Sequence, residues 1–205
     1  LRCLVGSEMC IRDRYNKLKR TYEAGTRLIA EIKDEIMYLE SIINAIDIAT
    51  TENDLNNIKD ELAVTGYIKR SGKSKSKGNT HNKPMHYVSS DGFDIYVGKN
   101  NIQNDELTFK FATGGDWWFH AKQMPGSHVI VKTDGKELPD KTFEEAAALA
   151  AYYSKGRYLE KVEVDYVLKK EVKKPAGAKP GFVVYYTNYS LIAIADISGI
   201  RLISG

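Results

Sequence analysis

Four side chains that take part in many active sites lie close together in the middle of the sequence: Asp116, His120, Ser127 and His128. In a hydrolase triad, a histidine takes the proton of the serine hydroxyl and a carboxylate orients that histidine, so all three must lie within hydrogen-bonding reach. Their spacing along the chain does not establish such reach. His86, His120 and His128 could also bind a metal ion, but the compact His, Cys or carboxylate spacing of metal sites is absent. Because no glycine-rich nucleotide-binding pattern follows a predicted strand, we expect neither catalytic activity nor a cofactor or metal.

The same stretch also fits a contact with nucleic acid. Trp117 and Trp118 precede His120, and Lys122 and Lys132 lie close by. Aromatic faces stack on bases while cations meet phosphates. The alternative is that the rings belong to the hydrophobic core and that each histidine is an ordinary core or surface residue. The residue types alone leave both interpretations open.

The local pattern predicts that these residues lie on a β-hairpin. Residues 118–121 fit a strand, and the β-branched run 129–131 fits a second strand. Pro125-Gly126 between them is typical of a type II turn, because proline presets φ and glycine accepts a positive φ. We therefore expect both tryptophans, both histidines and Ser127 to meet at one edge of the hairpin.

An amphipathic helical region, residues 15–68, precedes the strands. Tyr15 to Ala49 carries isoleucines and leucines at three- and four-residue steps, which predicts one long helix with a narrow apolar stripe. Thr51 with Asp54 resembles a capping pattern that opens a second helix ending near Gly66. A stripe this narrow favours a coiled-coil arm that pairs with another helix. The alternative is a helix that packs on the domain that follows.

Composition limits the remaining possibilities. The chain has 205 residues, 42% of them hydrophobic and 28% charged, with a net charge of +3, as in an ordinary globular protein. No apolar run is long enough to span a membrane, and we expect no membrane partner and a cytoplasmic location. Both cysteines lie in residues 1–14, which we interpret as a non-native leader. Residues 69–83 are rich in lysine, serine and glycine, which predicts a flexible basic linker or an additional phosphate contact.

Residues 84–205 read as a mixed sheet with packed helices, so the predicted fold class is α+β with a helical coiled-coil arm in front. Further strands are predicted at 86–89, 93–97, 161–172, 182–186, 190–195 and 200–203. A helix is predicted over 101–112, with its apolar residues partly buried. A second helix, 143–154, is predicted to open with a capping box formed by Thr142 and Glu145.

A loop rich in glycine and lysine, residues 173–181, follows the longest predicted strand, and we call it the lysine loop. Lys174 and Lys179 lie beside Gly177 and Gly181, whose bare backbone lets N–H groups approach an anion. The Walker spacing is absent. Such a loop suits phosphates, although lysines also keep an exposed hairpin loop soluble.

The order of these motifs resembles the RNA-binding domain of the NFACT family. The resemblance covers most of residues 84–190 and rests on the stretches 98–101, 104–107, 116–121, 125–129, 174–181 and 184–185. It implies RNA contacts by the matching polar, basic and aromatic residues: Lys99, Asn100, Asn104, Trp117, His120, Ser127, His128, Lys174, Lys179 and Gly181. Asp105 fits a structural cap or a partner for a lysine. After Tyr189 the sequence departs from the family pattern.

The resemblance also implies a function and partners. NFACT proteins act in ribosome quality control, where they bind the large ribosomal subunit and tRNA at stalled nascent chains and support alanine tailing. The tRNA-selective amino-terminal domain is missing from this chain, and the partner of the helical arm would lie in that upstream part. The expected partners are large-subunit RNA, tRNA and, through the coiled coil, ribosomal proteins. Two alternatives remain: a stand-alone nucleic-acid-binding module, and an adhesin-like protein, since some members carry the name fibronectin-binding protein.

Overall fold

A computed structural model describes residues 2–69 and 83–204 of the chain, with side chains described from residue 9 onward. The chain divides into two compact units, Leu1–Leu39 and Glu40–Gly205. The central part of the predicted basic linker, residues 70–82, lies outside the described residues.

The first unit contains the first helix, α1 (Arg2–Ile48), as far as Leu39. Helical structure begins at Arg2, within the segment interpreted as a leader. The apolar side chains of the predicted stripe, including Leu28, Ile29 and Ile32, are exposed. Among the residues that the structure describes, no helix is long and apolar enough to cross a membrane.

The second unit opens with the last turns of α1 and with α2 (Glu52–Val64). The predicted cap of α2 is confirmed: Thr51 Oγ1 accepts the N–H of Asp54 at 3.2 Å, and Asp54 Oδ2 accepts the N–H of Thr51 at 3.0 Å. Ile42, Ala45 and Ile58 are buried within this unit. Both helix segments therefore contribute to the core of the unit that contains the sheet.

A seven-stranded sheet forms the body of the second unit, and all of its strand pairs are antiparallel. The strands are β1 (Met85–Val88), β2 (Asp94–Val97), β3 (Trp117–Ala121), β4 (Val129–Val131), β5 (Val162–Leu168), β6 (Tyr189–Ala193) and β7 (Arg201–Ser204). Their spatial order is β6-β5-β3-β4-β2-β1-β7. The α+β prediction is confirmed. The predicted strand 182–186 is wrong, because of those residues only Val184 pairs, through an isolated bridge to Lys173.

Helix α4 (Asp140–Tyr152) covers one face of the sheet, and we call that side the helix face. Its alanines pack against strand residues such as Val129, Val131 and Val164, because small side chains let the helix approach closely. The predicted capping box is wrong. The helix begins three residues earlier than predicted, after Pro139, and Thr142 and Glu145 bond the β1–β2 turn instead, through Asp91 Oδ2 at 2.8 Å and Ser90 N–H at 2.9 Å.

The opposite face, which we call the site face, is covered by a short helix and a loop. Helix α3 (Asn101–Glu106) continues into a π-helical turn, Leu107–Phe111. Leu107 is buried on this face with Trp118 and Ile130, whereas Phe111, predicted to be partly buried, is exposed. Tyr185, just after the lysine loop, packs against the same cluster.

Candidate nucleic-acid interface

The two tryptophans of the hairpin lie on opposite faces of the sheet. Trp117 packs on the helix face, 5.0 Å from Phe143 and 5.7 Å from Tyr166 between ring centroids. Trp118 is fully buried on the site face, 5.5 Å from His120 and 5.1 Å from His128. Because successive strand residues point to opposite faces, the hairpin cannot bring both rings to one edge. That part of the prediction is wrong.

The turn of the hairpin also differs from the prediction. The positive φ, 54°, falls at Gln123 and not at Gly126, so Pro125-Gly126 does not form a type II turn. Gly126 instead forms an antiparallel bridge with Ser154, after α4. Ser127 is buried beside this bridge, and its N–H donates to the Tyr153 carbonyl at 2.9 Å. The long connection is therefore held by the end of α4 and not by local turn geometry.

The two histidines form a perpendicular ring pair, with centroids 5.5 Å apart. His128 is buried. Its ring Nδ1 lies 2.8 Å from Thr108 Oγ1, and its backbone N–H donates to Asn104 Oδ1 at 3.0 Å. Burial lowers the pKa of His128 well below 6.5, and the nearby His120 lowers it further. Burial also lowers the pKa of the partly exposed His120, to about 4. At neutral pH both rings are uncharged, so they offer stacking and hydrogen bonding rather than cationic contacts.

The residues suggestive of a catalytic triad are not assembled into one. Asp116 lies on the connection before β3, where its Oδ2 accepts the Thr113 N–H at 2.7 Å and the Lys132 ammonium at 2.5 Å. His128 is bonded to a threonine and not to Ser127. Among the described residues, no group of His, Cys, Asp and Glu could hold a metal ion.

Acid should weaken the fold through Asp116. Burial works to raise the pKa of Asp116, but its hydrogen bonds from Lys132, Thr113 and Thr133 outweigh burial, and the pKa lies below the ordinary 3.8. The stabilisation is therefore complete above pH 3.8 and lost as the pH falls through the folded-state pKa. We expect Asp116→Asn to remove up to about 1.4 kcal/mol per pH unit from the acid slope of the unfolding free energy. Urea unfolding from pH 5 to pH 2 measures that slope, and Asp134→Asn, at an exposed position, should leave it unchanged.

Lys99 and Asn100 hold the second unit together. Lys99 is only 5% exposed, and its Nζ lies 3.5 Å from Asp54 Oδ1 on α2. Its backbone N–H donates to Gln103 Oε1 at 2.8 Å. Asn100 caps α3, because its Oδ1 accepts the Gln103 N–H at 2.9 Å. Neither side chain is presented to solvent as a simple phosphate contact.

The lysine loop is a closed hairpin that carries cations. Lys173 and Val184 exchange two backbone hydrogen bonds of 2.9 Å at its base. Asp105 of α3 forms an ion pair with Lys174, and its Oδ1 accepts the Gly181 N–H at 3.1 Å. Asp105 thus contacts both ends of the loop, in agreement with its predicted role as a lysine partner. Lys179 Nζ donates to Tyr67 OH, after α2, at 2.9 Å.

Sequence reasoning missed the residues that anchor this loop from elsewhere in the chain. Asn101 Nδ2 donates to Ser41 Oγ at 2.8 Å and to Glu61 Oε1 at 3.0 Å. Asn101 also lies directly against Gly181. No local pattern links α1, α2 and residue 181. The sequence offers one local signal, the polar run 99–101; the structure buries this run, so its polar groups must find partners.

Comparison with known proteins identifies the family of this chain. The profile of the NFACT protein RNA binding domain matches residues 83–187, and that of the NFACT N-terminal and middle domains matches residues 13–81. The Rqc2 homolog RqcH of Streptococcus suis (strain 05ZYH33) is 46% identical over 173 residues, which cover 84% of this chain and 31% of that protein. The Rqc2 homolog RqcH of Bacillus subtilis (strain 168) is 37% identical over 185 residues, covering 89% and 32%.

A solved structure of the C-terminal part of the fibronectin/fibrinogen-binding protein from Streptococcus suis is also similar. It aligns with a TM-score of 0.82 and 43% identity over 91% of this chain and 74% of that one. The chain spans about a third of the length of the curated relatives. It belongs to the NFACT family and contains the RNA-binding domain of that family.

Proposed function

We propose that this chain is the RNA-binding part of a cytoplasmic ribosome quality-control factor. In this role it binds the large ribosomal subunit and tRNA at stalled nascent chains. It supports alanine tailing together with an amino-terminal domain of the kind found in longer relatives. The family's RNA-binding domain and the relatives named as Rqc2 homologs support the proposal.

The observation that carries the proposal is the geometry of the lysine loop. Lys173 and Lys174 are exposed at its base, and Lys179 is fixed by its hydrogen bond to Tyr67. Asp105 fixes the loop at both ends, so its cations are positioned before RNA arrives. A preordered basic loop loses little conformational freedom on binding, which favours affinity for phosphate.

The other predicted site residues then fall into two groups. Lys174, Lys179, Gly181 and the partly exposed His120 are close enough to solvent to touch RNA directly. The buried ones, Lys99, Asn100, Asn104, Ser127 and His128, act by positioning the loop and the hairpin. Trp117 packs on the helix face of the sheet and does not face the site. In this proposal, the site is divided between a contact surface and the buried polar residues that position it.

The helical arm supplies a separate protein-binding function in this proposal. The exposed isoleucines and leucines of α1 form a stripe suited to a partner helix from the longer protein or to ribosomal proteins. Pairing of this stripe would bury apolar surface that the chain alone leaves in water.

The test is binding of the full chain to bulk tRNA and to large ribosomal subunits at several salt concentrations. For Lys174→Ala/Lys179→Ala, we expect weaker binding and a salt slope reduced by about 1.4–1.8, the loss of two phosphate contacts. The matched control, Lys136→Ala/Lys161→Ala, removes two exposed lysines outside the lysine loop. No binding of the parent chain to either RNA at low salt would contradict the proposal, as would equal effects of the two double variants.

A second candidate is fibronectin binding, which the name of the similar S. suis protein suggests. Immobilised fibronectin in the same assay distinguishes the two functions. Binding to fibronectin that survives Lys174→Ala/Lys179→Ala, together with no RNA binding, would favour this candidate.

A further inference from the structure

Three aromatic rings form a continuous patch on the site face, on strands β1 and β2 and the π-helical turn. We call His86, Tyr96 and Phe111 the aromatic patch. His86 and Tyr96 are stacked, with centroids 4.6 Å apart and ring planes 6° apart. Phe111 meets Tyr96 edge-on at 4.7 Å. Phe111 is 45% exposed, so a large part of its surface is in water.

Two features of the backbone hold the patch in place. His86 and Tyr96 are directly paired across β1 and β2, which keeps their rings on one face. Phe111 ends the π-helical turn, which closes with a 2.8 Å bond from the Ala112 N–H to the Leu107 carbonyl. The extra residue of a π turn shifts the side chains that follow it, and such turns are frequent at functional sites. The exposed ring is therefore presented by rigid elements and not by a loose loop.

Three polar side chains beside the patch already have partners within the protein. His86 Nε2 lies 2.7 Å from Asp94 Oδ1. The Lys132 ammonium lies 5.2 Å from the Phe111 centroid and is bound by Asp116. Lys110, next to Phe111, pairs with Glu106 at 3.0 Å. The patch therefore offers ring surface to a ligand.

We propose that the aromatic patch is a stacking site for an unpaired base of the bound RNA, with Phe111 as the contacting ring. This inference rests on the proposed function and adds a contact that does not depend on phosphate charge. Bases stack on aromatic rings without regard to sequence, and Tyr96 and Lys132 hold the Phe111 ring for such a contact. A docked protein would need a much wider apolar surface, whereas the residues that follow Phe111, Thr113 to Gly115, are exposed and polar or glycine.

The first test is RNA binding by Phe111→Ala. We expect a loss of affinity of about 5- to 150-fold, the range for one stacked base, with the salt slope unchanged. Variants that remove lysines of the lysine loop should, in contrast, reduce the salt slope of RNA binding. Tyr158→Ala is the matched control, because Tyr158 is an aromatic residue that is 92% exposed and outside the patch. We expect this control to bind as tightly as the parent chain.

Two further variants separate stacking from folding. Phe111→Trp keeps a ring and should retain affinity for RNA. RNA should also quench its tryptophan fluorescence more than it quenches the fluorescence of the parent chain, because the added indole stacks on a base. Phe111→Leu keeps apolar volume without a ring and should bind as weakly as Phe111→Ala.

Each outcome decides the inference. If Phe111→Leu binds RNA as tightly as the parent chain, or if RNA bound to Phe111→Trp does not quench its added fluorescence, the stacking site is overturned while the proposed RNA function stays intact. A quench produced by ribosomal proteins but not by RNA would assign the patch to a protein contact instead. If the parent chain binds no RNA, the proposed function fails together with this inference.

Discussion

Replacing Lys99 by methionine is expected to lower the free energy of unfolding by about 3–5 kcal/mol. Lys99 and Asp54 are 5% and 2% exposed, and they form a buried ion pair between the β2–α3 connection and α2. Removing the cation leaves the Asp54 carboxylate buried without its charge partner. Urea or guanidinium unfolding of the parent chain and the variant measures the difference.

Two matched variants test this explanation. Lys110→Met removes a lysine whose ion pair with Glu106 is exposed, and it should cost no more than about 0.5 kcal/mol. Lys99→Met/Asp54→Asn removes both charges and keeps an amide oxygen for the cap of α2, so it should be more stable than Lys99→Met alone. Equal losses for Lys99→Met and Lys110→Met would show that the buried pair does not stabilise this junction. Folded Lys99→Met should keep the salt slope of RNA binding if Lys99 only positions the site.

Replacing Gly181 by alanine should have the second large effect, on both stability and RNA binding. Its φ is +79°, a region that costs an L-residue about 1–2 kcal/mol. A Cβ there would also lie 2.6 Å from Asn101 Oδ1, and Asn101 is fixed by Ser41 and Glu61. Adding about 1–3 kcal/mol for overpacking, we expect a total loss of about 2–5 kcal/mol. The displaced loop should also bind tRNA more weakly.

Gly177→Ala provides the control within the same loop. Gly177 has a similar φ of +76°, but a Cβ there would meet no atom within 4 Å. It should therefore show only the backbone cost, about 1–2 kcal/mol, with little change in RNA affinity. If both alanine variants lose the same stability and affinity, contact with Asn101 does not position the loop.

A short, mostly buried segment, residues 99–105, connects the two helices to the lysine loop. Lys99, Asn101 and Asp105 lie in one short segment, and they contact α2, α1 and the lysine loop respectively. The segment is polar and mostly buried, so each group depends on a partner distant in sequence. Substitutions at the end of α1 or in α2 that disturb this segment are therefore expected to displace the lysine loop.

The sequence by itself determined the elements whose signal is local. Alternation predicted β5, and Thr51 with Asp54 predicted the start of α2. The order of short motifs was sufficient to indicate the family, because each motif combines residue types at fixed spacing. These features depend on neighbours within a few residues, so the linear pattern contains the necessary information.

Only the tertiary structure decided which side chains share a surface. It packed Trp117 against Phe143, buried Lys99 against Asp54, and gave Thr142 to the β1–β2 turn and not to a helix cap. In each case the partner lies far away in the chain, and the energy of burial or pairing outweighs the local preference. The lysine loop was visible in the sequence. Its fixed position, set by Asp105, Asn101 and Tyr67, depends on contacts that exist only in the folded chain.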